Sequence, residues 1–112
     1  MKLVTAVIKP HMVQPVTDAL HAIDVEGITL TEVRGHGRQR GHTEVFRGAE
    51  YKVDFLPKMR IEIVTDDVNA DRVAQTIMAA ARSGKIGDGK IWITAVDSIL
   101  RIRTGELDHE AL

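Results

Sequence analysis

The chain has 112 residues, with 15 Lys plus Arg against 16 Asp plus Glu, a formal charge of -1 and no cysteine. That length suits one domain with one core; the near-neutral charge gives no overall attraction to nucleic acid or an anionic membrane, and the lack of thiols excludes disulfides and thiolate chemistry. No segment approaches eighteen apolar residues, and MKLVTAVIKPH lacks the apolar run and cleavage site of a secretory signal, so a cytoplasmic protein is expected and any anion site must be local.

Lys2 to Lys9 is a β-branched apolar run closed by Pro10, which suits a central strand. Val13, Val16, Leu20 and Ile23 then recur at helical spacing, with Pro15 tolerable only in a first turn, so a helix should end before Gly27. Ile28 to Val33 is a second strand. Gly35 to Lys58 follows as an arm that carries four glycines, three arginines, two lysines and the single tyrosine, Tyr51. Loops longer than about 12 to 15 residues are uncommon inside a compact domain and are usually functional or disordered.

From Met59 to Val64 the alternation is clean, with Met59, Ile61 and Ile63 on one face and Arg60, Glu62 and Val64 on the other. Asp67 is the expected cap of a second helix through Arg82, on which Val73, Ile77 and Ala81 repeat every four residues, and Ser83-Gly84 ends it. Ile91 to Val96 is a fourth strand. Arg101 and Arg103 in the tail point to one side of an extended segment, either as a basic cluster or as charges guarding a sheet edge. The order βαββαβ predicts an α+β, ferredoxin-like fold: two helices on one face of a four-stranded antiparallel sheet, the other face left for a ligand or another subunit.

Gly84-Lys85-Ile86-Gly87-Asp88-Gly89-Lys90 has P-loop spacing, but Ile91 stands where a hydroxyl should bind magnesium, and the motif follows a helix and feeds a strand, the reverse of a P-loop. A turn with inward amides and one lysine could still hold phosphate; a helix cap followed by a tight turn serves the same residues equally well. Gly35-x-Gly37 begins a dinucleotide fingerprint, but the third glycine, Gly41, comes one residue late and no helix follows. Arg38, Gln39 and Arg40 are three successive long donors suited to a polyanion, or to a solvated loop.

Serine occurs only at Ser83 and Ser98, and His11, His21, His36, His42 and His109 show no zinc-ligand spacing, so no catalytic constellation is present. His36 and His42 read as polar surface, and Lys9 and Lys58, each next to a proline, as ordinary solvated lysines. RNA-recognition motifs share the strand order, but they stack bases on aromatics of the first and third strands, and KLVTAVIK and MRIEIV contain none. Phosphate is what the three glycine or arginine clusters have in common.

RGAEYKVDFLPK, with GHGRQRGHTE before it and GKIGDGKIW and RIRTGE after it, closely resembles the PII nitrogen-regulatory signal proteins, and the resemblance runs from Met1 to Leu112. It implies one domain and a homotrimer with the sheet faces turned inward, the arm being the T-loop (about 37–55), residues 82–90 the B-loop and about 102–112 the C-loop. It also implies ATP or ADP in clefts between subunits, with Val7, Thr29, Glu62 and Val64 on the adenine side. Gly35, Gly37, Arg38, Gly87, Asp88, Gly89 and Lys90 would line the nucleotide site, several of them at the phosphates, and Arg101 and Arg103 would come from a neighbour.

By the same resemblance, 2-oxoglutarate would bind beside Mg-ATP. The metal would take the side-chain oxygen of Gln39, Lys58 would meet the distal carboxylate, and Gly37, Gln39, Arg40 and Gly41 would complete the site. Tyr51 matches a tyrosine that relatives carry uridylylated or adenylylated by a nucleotidyltransferase. Phe46 stands where tyrosine is frequent, and Ala49 replaces a serine phosphorylated in other relatives, which excludes that modification. The implied partners are an ammonium channel, through which alone it would meet a membrane, and enzymes that regulate glutamine synthetase. The resemblance implies a non-enzymatic sensor; weak ATP hydrolysis in the same cleft is the alternative.

Overall fold

The computed structural model describes residues 1–36, 43–46, 49–52 and 55–112, with backbone alone for 43–46 and 49–52. Among the described residues six strands and two α-helices run in the order β1 (Lys2–Ile8), α1 (Val13–Ala22), β2 (Thr29–Gly35), β3 (Thr43–Phe46), β4 (Ala49–Lys52), β5 (Leu56–Thr65), α2 (Asp67–Ala81) and β6 (Lys90–Ala95). Four strands form an antiparallel sheet in the order β2-β5-β1-β6, while β3 and β4 pair with each other. This is the ferredoxin-like α+β fold expected from the sequence, with a hairpin inserted between its second and third sheet strands.

Period-two alternation decides which side of the sheet is dry. Val4, Ala6 and Ile8 of β1 and Ile61 and Ile63 of β5 are buried against Val16 and Leu20 of α1 and Ala70, Val73, Ile77 and Ala81 of α2. The opposite face carries Leu3, Thr5 and Val7, with Arg60, Glu62 and Val64 from β5 and Trp92 from β6. Cross-strand register sets Thr29, Glu62, Thr5 and Trp92 in one row. Val64 and Trp92 remain 43 and 44% exposed there.

Several boundaries differ from expectation. A short 3-10 turn, Pro10–Met12, precedes α1, and the helix stops at Ala22 because Asp24 takes a left-handed φ of 66°, a conformation that Asp tolerates. Asp66, not Asp67, caps α2: its side chain accepts from the Asn69 N–H at 2.8 Å, and Asp67 instead pairs with the Met1 ammonium at 2.7 Å. β5 extends back to include Pro57, in a stretch flanked only by β2, since the β1 ladder ends at Ile8 opposite Met59. β6 begins at Lys90 rather than Ile91.

The tail is not extended at Arg101 and Arg103. Gly105 N–H donates to Arg101 O and Arg101 N–H to Glu106 O, closing a turn at 102–104 in which Gly105 has φ 72°. Among the described residues no helix is long and apolar enough to cross a membrane.

Candidate functional site

At the end of the sheet where β1 finishes and β5 begins, a cleft of about 670 Å³ is lined by Val7, Gly35, His36, Leu56, Lys58, residues 84–90 and Trp92. One depression therefore touches the glycine turn and both roots of the arm, Gly35-His36 where the chain leaves the sheet and Leu56 where it returns. The His36 ring lies 5.5 Å from that of Phe55, centroid to centroid.

The turn is seated by close backbone contact. Gly84, Gly87 and Gly89 have φ of 82°, 97° and 105°, which L side chains rarely adopt. A Cβ on Gly89 would lie 1.7 Å from the carbonyl oxygen of Val7, so only glycine lets the turn lie on β1. Asp88 belts the turn together: it accepts from the N–H groups of Ser83 and Gly84 at 2.9 Å each, from the Ser83 hydroxyl and from Lys9 Nζ at 3.2 Å. The Ser83 hydroxyl and amide, with the Gly84 amide and Lys9, hold its carboxyl far below the usual carboxylate range. The N–H groups of Gly87 and Asp88 donate to no protein acceptor among the described residues.

Lys58 is buried and donates to the carbonyl of Gly87 at 2.7 Å. Desolvation, then the neighbouring Lys9 charge, lower its pKa, against the opposing pull of Asp88. Lys9 and Lys58 are thus built into the site, contrary to the expectation of ordinary solvated lysines. The fit to a polyanion is good: Lys58, Lys85 and Lys90 line the cleft, and Asp88, the one acid among its described lining residues, is already surrounded by donors. Among the described residues no cluster of His, Asp or Glu could hold a metal.

The predicted residues divide. Val7, Gly35, Lys58, Gly87, Asp88, Gly89 and Lys90 share this cleft, whereas Thr29, Glu62 and Val64 line another of about 490 Å³ toward Leu3. Leu3 and Val7 are four residues apart on β1, roughly 13 Å at strand rise. Glu62 also pairs with Arg60 at 3.2 Å. Arg101 lines a separate depression of about 720 Å³ at the far end of β5, where it binds Glu106 at 3.3 Å and the carbonyls of Ala111 and Leu112. Arg103 is exposed in the tail turn. Gly37, Arg38, Gln39, Arg40, Gly41 and His42 lie outside the described residues, as does the side chain of Tyr51, whose backbone pairs with Glu44.

Sequence reasoning missed Lys9, Ser83, Leu56 and Trp92. The only available signal was Lys9 at the end of a strand; its meeting with Ser83 and Asp88, more than seventy residues away, is tertiary.

A family model described as "Nitrogen regulatory protein P-II" matches residues 1–106. The chain is 54% identical to the nitrogen regulatory protein P-II of Rhizobium etli and 52% identical to that of Azospirillum brasilense. It is 51% identical to the nitrogen regulatory protein GlnK of Escherichia coli, and each match covers all of both chains. With the ferredoxin-like sheet and the inserted arm already established, these matches show that the chain belongs to the P-II family of nitrogen regulatory proteins.

Proposed function

We propose that this protein is a cytoplasmic sensor that binds ATP or ADP, and 2-oxoglutarate with Mg-ATP, and reports occupancy through the arm of about residues 37–55 to partner proteins of nitrogen assimilation. The observation that carries this reading is the single cleft containing the glycine turn, Lys58 and both roots of the arm. A ligand there contacts the segments from which the arm emerges, so it can select among arm conformers that bind it unequally.

Phosphates would meet Lys90 and the amides of Gly87 and Asp88. The side chain of Asp88 serves the turn rather than the ligand. Gln39 would ligate magnesium, which would neutralise charge on the anionic ligands; Lys58 would meet the distal carboxylate of 2-oxoglutarate, with Gly37, Arg40 and Gly41 around it. Arg38 would join the phosphate contacts.

Val7 lines one cleft and Thr29, Glu62 and Val64 another on the same open sheet face, which suits completion of each site by a second copy, with Arg101 and Arg103 supplied across the interface. A homotrimer would scatter light as three times the 12.4 kDa chain; a monomer at binding concentrations would defeat this arrangement. The arm would dock an ammonium channel or an enzyme that regulates glutamine synthetase, and Tyr51 would accept a nucleotidyl group. Intact mass from nitrogen-starved cells should show that addition and lose it in Tyr51→Phe; an addition that persists assigns the modification elsewhere.

Calorimetry tests the sensing mechanism. Gln39→Ala should abolish 2-oxoglutarate binding in the presence of Mg-ATP while ADP affinity stays within a few-fold. Equal losses for both ligands would overturn the assignment of Gln39 as a magnesium ligand.

A further inference from the structure

The glycine turn is fastened by a residue that does not line the cleft. Lys9, just past β1, reaches Asp88 Oδ1 at 3.2 Å and Ser83 Oγ at 3.4 Å, and its side chain is only 17% exposed. Asp88 spends its other acceptor positions on the Ser83 and Gly84 amides and the Ser83 hydroxyl. Lys58 holds the same turn from β5 through the carbonyl of Gly87. The turn is thus tied to two adjacent strands by two lysines, leaving the Gly87 and Asp88 amides without a protein acceptor among the described residues.

A carboxylate at the centre of an anion-binding turn is a paradox unless something neutralises it. Without Lys9, Asp88 would still accept its amide bonds, but it would lose its ion-pair partner at 3.2 Å and keep only the weaker pull of Lys58 against repulsion from a bound phosphate. We propose that Lys9 is a positioning residue for nucleotide binding, acting through Asp88 by fastening the turn and cancelling its charge without touching the ligand. This rests on the nucleotide reading above.

The test compares Lys9→Met, Lys9→Arg and the double variant Lys9→Met/Asp88→Asn in the full chain, with ATP and ADP affinities measured by calorimetry and folding checked by thermal melting. Lys9→Met should weaken ATP by about tenfold or more, the size expected for a lost charge-assisted contact. Lys9→Arg should stay near wild type. The double variant should regain most of the loss, because the neutral Asn still accepts from Ser83 and Gly84 and carries no charge.

Unchanged affinity in Lys9→Met, or a double variant no better than Lys9→Met, would overturn the proposal; the second result would mean that Lys9 contacts phosphate directly. Should Lys9→Met fail to fold, Lys9→Gln carries the same comparison. A wild-type protein that binds no nucleotide would defeat the functional reading instead. In that case hydrogen exchange of the Ser83 and Gly84 amides decides the clamp: faster exchange in Lys9→Met supports it, and unchanged exchange overturns it.

Discussion

Replacing Gly89 with alanine tests how the glycine turn is seated on the sheet. The backbone at Gly89 has φ 105°, and the new Cβ would fall 1.7 Å from Val7 O, 2.9 Å from Val7 C and 3.4 Å from Ile8 Cα. The conformational strain costs about 1–3 kcal/mol. The clash is with backbone, which cannot rotate away as a side chain tip can, and overpacking of that kind adds about 1–3 kcal/mol. The sum, about 2–6 kcal/mol, corresponds to a melting temperature lower by roughly 8–24 °C for a domain of this size. Gly84→Ala is the internal comparison: its φ is 82° but no atom lies within 4 Å, so only the strain applies, about 1–3 kcal/mol. Gly27→Ala, with open space and no positive φ, should be neutral or stabilising by up to about 1 kcal/mol. Thermal melts of the three variants side by side decide the matter. Gly89→Ala melting no lower than Gly84→Ala would refute the close seating of the turn on β1.

Two further perturbations follow from the caps and charges. Asp66→Ala should lower stability by about 1 kcal/mol, read from the denaturant midpoint, with Asp67→Ala losing less because the helix keeps its cap; the reverse order would return the cap to Asp67. Asp88 has a folded pKa below its unfolded value, so the unfolded state binds more protons between the two and stability rises with pH there. Its contribution is fully present above the ordinary carboxylate range and fades as pH falls below it. Melting temperature should therefore fall less steeply below about pH 4 in Asp88→Asn than in wild type, and parallel slopes would remove Asp88 from the acid limb.

Much of the fold was legible because burial here follows simple periods. Ile61 and Ile63 alternate with Glu62 and Val64, and Val73, Ile77 and Ala81 repeat on one helix face, so the dry side of each element could be read directly. Boundaries were legible only where local chemistry set them. The end of α1 at Asp24 rests on a left-handed residue that competes with Gly27 as a stop signal, and the cap at Asp66 sits beside an equally eligible Asp67.

The site was less legible. The glycines of 84–89 signalled a turn, but the need for glycine at 89 arises from Val7, eighty-two positions earlier. Likewise Lys9 and Lys58 resemble surface lysines until the sheet brings Asp88 to one and the Gly87 carbonyl to the other. The tail misled for a related reason: Arg101, Ile102 and Arg103 alternate like a strand, but Gly105 turns the chain back and Arg101 binds the terminal carbonyls.

The central claim is that the cleft between the glycine turn and the roots of the arm takes nucleotide and keto acid together. Trp92 is the single tryptophan and lines that cleft, so its emission reports occupancy without a label. Titration with ATP or ADP should change Trp92 fluorescence saturably, and 2-oxoglutarate should produce a further change only when Mg-ATP is present. Fluorescence indifferent to ATP and ADP, with no heat of binding by calorimetry, would contradict the account.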